Sequence, residues 1–315
     1  MDDVTAKTLS NTPPGSGAAP APLLVTVGHV TCDLVDRGTI PGGAAYYSSL
    51  AAQALGARVG AITAAGPSFP HLDALEGVET HVGRSAESTC FRNEYHDGNR
   101  VQTLCGLADP IARAHVPDRW QEAAGVYLCP VMGEVELEIA AQFPEAIVAI
   151  GCQGWMRRAE VGGKVRPLRW RPDPGLLERA RVHFAVLSDE DARSDPHIVD
   201  HLVKHVPVVA FTHGRDGCDL YVEGERHRLP AWPTGEVDPT GAGDVFGAAM
   251  LFGLASRWEP LRAARLAACA ASVAVEERGG EGLVRVAEAW RRLAAWEADD
   301  SGVTGKQRLT STPTT

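Results

Sequence analysis

Short apolar runs recur along most of the chain, each followed by a stretch with helical spacing or a turn. The runs are LLVTVG (23 to 28), RVGAIT (58 to 63), GVYLCP (125 to 130), AIVAI (146 to 150), HFAVL (183 to 187) and VPVVAFT (206 to 212). Strands this uniformly apolar need cover on both faces, so the pattern predicts an α/β fold with a mostly parallel sheet between two helical layers. Helices are expected at 43 to 57, 195 to 205, 244 to 257 and 260 to 277.

One region breaks this rhythm. From Thr80 to Leu107 polar and apolar residues alternate around Asp97-Gly98, as in a hairpin with one wet face. With the β-like stretch near Val35 to Thr39 it predicts a small sheet beside the main one, either a lid or an ordinary edge hairpin. The folded domain is expected over 21–296, with lid strands within about 34–42 and 80–107. Residues 1–20 and 297–315 are rich in Pro, Gly, Ser and Thr without periodicity and are expected as tails.

Several function classes fall away on composition. A net charge of -10 argues against a nucleic-acid partner, which calls for a basic face. No apolar run reaches the length of a membrane span, so no membrane partner and a cytoplasmic location are expected. The seven cysteines are scattered and never spaced C-x-x-C, which fits buried reduced thiols better than a zinc site or a disulfide framework.

The chemistry-bearing stretch is VDPTGAGDVFGAAM, 237 to 250. A glycine-rich turn that opens a helix aims free backbone N–H groups outward at the positive end of the helix dipole, which suits a phosphate or a developing oxyanion. Asp244 stands near that helix start, where it either caps the helix or takes a proton from a hydroxyl held beside the phosphate. FTHGRDGCDLYV has the form of a strand, a glycine turn and a second strand. It is neither a Walker A loop nor a G-x-G-x-x-G fingerprint.

DPTGAGD followed by small residues resembles the C-terminal signature of the ribokinase-like (PfkB) carbohydrate kinases, and PGGAAYYSSLAAQALGARVGAITAAG (41 to 66) resembles their N-terminal one. The resemblance covers roughly 23 to 284 and implies a three-layer α/β/α sandwich with a small β-sheet lid. It makes Asp244 the catalytic base and the amides of Gly241, Ala242 and Gly243 an anion hole. Asp238 and Thr240 would line a K+ site. Asp33, Gly42, Gly43, Tyr46 and Arg157 would meet the substrate. Thr212, Gly214 and Gly217 would meet ATP. The family's Asn-x-x-Glu motif falls on Ser188 and Asp191, both departures from the pattern, with Asp191 reaching Mg2+ through water.

The ribokinase Lys and Asn are replaced in GGAAYY, and TCFRNEYHDGNRVQTLCGLADPI is similar to the lid of myo-inositol kinases. The implied activity is therefore ATP-dependent phosphorylation of a cyclitol or sugar hydroxyl, myo-inositol or an aminocyclitol first. A nucleoside kinase or a non-catalytic sugar or nucleotide sensor are the alternatives. A homodimer through the lid is a further expectation.

Overall fold

A computed structural model describes residues 21–308 except 36, 97 and 98. In chain order the elements are β1 (Leu23–Val27), β2 (Thr31–Val35), β3 (Gly38–Gly42), α1 (Ala44–Ala54), β4 (Arg58–Ala65), β5 (Glu79–Arg84), β6 (Cys90–His96), β7 (Asn99–Gly106), β8 (Gly125–Leu128) and β9 (Ile147–Gly151). There follow β10 (Arg157–Ala159), β11 (Val165–Pro167), α2 (Pro174–Arg179), β12 (Val182–Ser188), α3 (Ile198–Val203), β13 (Val208–Thr212), β14 (Cys218–Val222), β15 (Glu225–Leu229), α4 (Ala242–Ala255), α5 (Pro260–Ala274) and α6 (Ala289–Arg308).

The main sheet has nine strands in the order β15-β14-β13-β12-β9-β8-β1-β4-β5. It is parallel from β13 to β5, and the two strands at the other edge run antiparallel. Successive residues of the inner strands feed opposite cores, as a period of two requires. Leu24, Tyr127, Ala149 and Phe184 pack toward α1, α4 and α5, while Val25, Val126, Ile150 and Ala185 join the core on the other face. The fold is the mostly parallel sheet between helical layers, with a smaller sheet beside it, that the strand pattern predicts.

Helix α4 is apolar nearly all round because it is buried between the sheet and its neighbours α1 and α5. The opposite layer is thinner. The helix expected over 195 to 205 is α-helical only from Ile198 to Val203, after a 3₁₀ turn at Asp191–Ser194. Its neighbours there are further 3₁₀ turns, short pieces that the 3.6-residue pattern does not reveal.

A second sheet, β3-β2-β6-β7, forms the lid. Two sequence expectations change here. Residues 79 to 84 pair in parallel with β4 and extend the main sheet, so the lid hairpin begins only at Cys90. On the other side the lid starts earlier, at Thr31, and β2 pairs with both β3 and β6. The expected Asp97-Gly98 turn and the 1–20 segment lie outside the described residues, and α6 continues past residue 296 to Arg308.

The lid strand β7 also meets the small β10–β11 hairpin. Leu104 donates its N–H to the carbonyl of Gly163 at 2.7 Å, and Thr103 forms a bridge with Lys164. All seven cysteines are free. Among the described residues no helix is long and apolar enough to cross a membrane.

Candidate active site

The strands β1, β8, β9 and β12 end at one side of the sheet, beneath the lid, where a cleft forms outside their carboxyl ends, the usual ligand position in open α/β sheets. The cavity there measures about 1340 Å³. It is larger than a typical single-ligand pocket, so it has room for two molecules end to end.

Its centre is the start of α4. Gly241 adopts φ 80°, a left-handed conformation open to glycine, and this turns the chain into the helix. The ring of Tyr47, from α1, rests on Gly241. First-turn amides of a helix have no carbonyl behind them. That of Ala242 turns to the carbonyl of Pro239 at 3.2 Å, whereas Gly243 is exposed on the cavity. Asp244 is in the first turn and lines the same space; its carbonyl accepts from Ser48 Oγ at 3.2 Å.

At the lid end, Asp33 stands on β2 and accepts from Thr31 Oγ1 at 3.2 Å and from Asn93 Nδ2 at 3.1 Å. Gly43 lines the cavity with φ 88° at the start of α1, and Gly42 lies directly behind Asp33. Tyr46, expected to meet substrate, instead packs against Gly280 and edge-on to Tyr47. The residue that faces the cavity is Tyr47, because a helix sends neighbouring side chains about 100° apart. Burial, together with the Asp33, Asp244 and Asp238 carboxylates, pushes the Tyr47 phenol well above its ordinary value, so it stays a neutral donor. Burial and Asp244 push the Tyr127 phenol up in the same way.

Arg157 reaches the lid end as well, donating from Nη1 to Gln102 Oε1 at 3.3 Å. Phe91 of β6 also lines the cavity. Sequence reasoning missed Asn93 and Gln102. Their signal lay in the alternation of the lid strands, which puts Asn93 opposite Gln102 on one face.

At the far end, Ser188 and Asp191 bond to each other. Ser188 Oγ donates to Asp191 Oδ2 at 2.7 Å and accepts from the Asp191 N–H at 3.2 Å. The turn after β13 brings Thr212, Gly214 and Gly217 to the cavity, closed by His213 N–H to the Gly217 carbonyl at 2.8 Å. Beyond it the cavity ends in a slot lined by Trp232, by Ala268, Ala271 and Ser272 of α5, and by its C-cap Val275. That second stripe of small residues, spaced 0, 3, 4 and 7, was the unread signal for this end. Glu276 braces the slot, accepting from Thr234 Oγ1 and from Arg292 Nη2, while Arg292 Nη1 donates to Ser272 Oγ at 2.7 Å. Arg215 and Glu236 pair across its mouth at 3.5 Å.

Asp238 accepts the N–H of Thr240 and of Gly279, both at 2.9 Å, and donates its own N–H to the carbonyl of Val275 at 3.2 Å, which ties the glycine turn to the C-cap of α5 and the loop after it. Among the described residues no group of three or more His, Cys, Asp or Glu side chains is arranged to hold a metal ion.

Residues 171–284, which contain the slot, the glycine turn and the start of α4, match the model of the pfkB family of carbohydrate kinases. Over those residues the chain is similar to PfkB carbohydrate kinases. An inositol 3-kinase from Oryza sativa subsp. japonica is 30% identical to it over 238 residues, 68% of this chain and 58% of that protein. A cytidine kinase from Thermococcus kodakarensis is 29% identical over 131 residues, 37% of this chain and 46% of that one. The chain thus spans less than two thirds of either relative. Among solved structures, a pyrophosphate-dependent myo-inositol-1 kinase converted into a myo-inositol-3 kinase superposes with a TM-score of 0.70 at 18% identity, covering 86% of this chain and 98% of that one. The two share a fold.

Proposed function

We propose that the protein transfers the terminal phosphoryl group of ATP to a hydroxyl of a cyclitol, with myo-inositol or a close relative as acceptor. One observation carries this reading. A single cavity has a polar lid end, an apolar slot at the other end, and between them Asp244 with the open first turn of α4.

The acceptor would lie between Asp33, Gly43, Tyr47 and Arg157. The Asp33 carboxylate, held in place by Thr31 and Asn93, is a group of the kind that accepts from vicinal hydroxyls. Asp244 takes the proton of the attacking hydroxyl, and the Gly241 and Gly243 amides meet the phosphoryl oxygens. Tyr127, kept neutral under the same carboxylate, adds bulk without a competing charge. Closing the lid against the body excludes water, the competing acceptor.

The slot favours a nucleotide over a bare pyrophosphate. A planar base fits between Trp232 and the small side chains of α5, and a pyrophosphate needs no such space. Seven carboxylates and four guanidinium groups line the cavity, with no lysine. A polyphosphate entering this negative wall calls for a divalent cation, and Mg2+ keeps most of its water and takes one or two protein carboxylates. Asp191 fits that role through water, and the cation would neutralise charge between the phosphates. Asp238 and Thr240, braced against the end of α5, fit a monovalent cation held mainly by oxygens.

Similarity to inositol 3-kinases supports the cyclitol, and similarity to a cytidine kinase keeps a nucleoside acceptor as the second reading. The deciding measurement is ADP release from Mg-ATP across inositol epimers, aminocyclitols, pentoses, hexoses and nucleosides. The highest kcat/KM is expected with an inositol. Highest turnover with a nucleoside would transfer the assignment to the second reading, and binding without turnover of any acceptor would make the protein a sensor.

A further inference from the structure

Four side chains from four strands form one hydrogen-bonded line across the inner face of the lid. Arg157 Nη1 donates to Gln102 Oε1 at 3.3 Å, Gln102 Nε2 donates to Asn93 Oδ1 at 3.0 Å, and Asn93 Nδ2 donates to Asp33 Oδ2 at 3.1 Å. The two ends fix its direction. A guanidinium only donates and an ionised carboxylate only accepts, so the two amides between them have one orientation that satisfies every link. Neither Asn93 nor Gln102 can flip without setting like against like at both of its neighbours.

This matters because an unconstrained amide reads a hydroxyl poorly: it flips to suit whatever arrives. Here Gln102, which lines the cavity, keeps one N–H and one lone pair in fixed places. A hydroxyl both donates and accepts, and can satisfy the pair; a methylene, or a hydroxyl of the other configuration, leaves a desolvated polar group without a partner. Asn93 acts on the acceptor only through its neighbours. Arg157 belongs to the β10–β11 hairpin and the other three residues to the lid, so the line is whole only when the two are together.

We propose that Gln102 is a specificity residue that reads the configuration of one acceptor hydroxyl, that Asn93 is a positioning residue for it, and that Arg157 and Asp33 fix the polarity of both. The proposal rests on the kinase reading above.

The test is steady-state kinetics of Gln102→Leu, Gln102→Glu and Asn93→Leu, with Mg-ATP as donor and myo-, scyllo- and D-chiro-inositol, D-ribose and cytidine as acceptors. Gln102→Glu keeps the shape and the Arg157 bond but offers Asn93 an acceptor where it needs a donor. Each variant should raise KM for the best acceptor about tenfold or more and flatten the kcat/KM ranking of the inositol epimers, while KM for ATP moves less than about twofold. An unchanged ranking, or an equal loss on every acceptor together with a shifted ATP KM, would overturn the proposal. If the unsubstituted protein phosphorylates none of the five, the kinase reading itself falls, and the role of Gln102 falls with it. The two failures are thus told apart before any variant is made.

Discussion

The ring of Tyr47 lies against the α-carbon of Gly241, with no room for a methyl group between them. This contact joins α1, which opens under the lid, to the first turn of α4, where Asp244 sits. The two signature segments, about 200 residues apart in sequence, are therefore one packed unit. An aromatic side chain fixes the position of the glycine turn that lines the cavity.

Gly241→Ala tests that unit. A left-handed φ costs a residue with a Cβ about 1–2 kcal/mol, and overlap with Tyr47 adds to it. The variant should melt at lower temperature and lose turnover. In a double-mutant cycle, Tyr47→Ala should restore part of the loss from overlap but none of that from φ, read by thermal midpoint and kcat.

On the proposed mechanism, replacing Asp244 by Asn removes the proton acceptor while keeping the size of the side chain. A fall in kcat of about 10²- to 10⁴-fold is expected, with Mg-ATP still bound in calorimetry. Near-normal turnover would show that the proton leaves by another route.

Filling the slot separates the possible donors. Ala271→Leu narrows the space opposite Trp232 and should raise KM for ATP about tenfold or more, given a branched side chain in a base-sized gap. Pyrophosphate as donor would be unaffected by the same change, so parallel assays with both donors decide.

Acid stability reports on a carboxylate outside the cavity. Asp195 is buried and clamped by Arg171, with a bond from Nη2 to Oδ1 of 2.7 Å, and by Arg169 Nε at 3.2 Å. The Arg171 bond, helped by the His197 N–H and Arg169, holds the carboxyl down at about 2, below its ordinary 3.8. A depressed value means that the native state favours the ion. The stabilisation is therefore complete above about pH 4 and is lost as the pH falls toward 2. Asp195→Asn should melt lower at neutral pH and show a shallower decline of melting temperature over that acid range.

Much of the framework was legible in the order of the strands, because buried parallel strands announce themselves as unbroken apolar runs. What escaped was set by partners distant in sequence. Residues 79 to 84 alternate like a lid strand, yet β4 offered a free edge and took them into the main sheet. Tyr46 and Tyr47 are equivalent in the string of letters, and only the phase of α1 decides which faces the cavity. Gln102 gains its setting from Arg157, 55 positions away. The slot arises because α5 has two faces of small residues, one spent on α4 and the other left for the 230 to 237 loop.

The bond from Leu104 to Gly163 and the Thr103–Lys164 bridge alter the mechanics of the lid. A flap hinged along one margin swings as a rigid door. This one is tied to the body at both margins, where β3 runs directly into α1 and where β7 meets a hairpin only a few residues long, so opening must either unstitch β7 or drag the hairpin along.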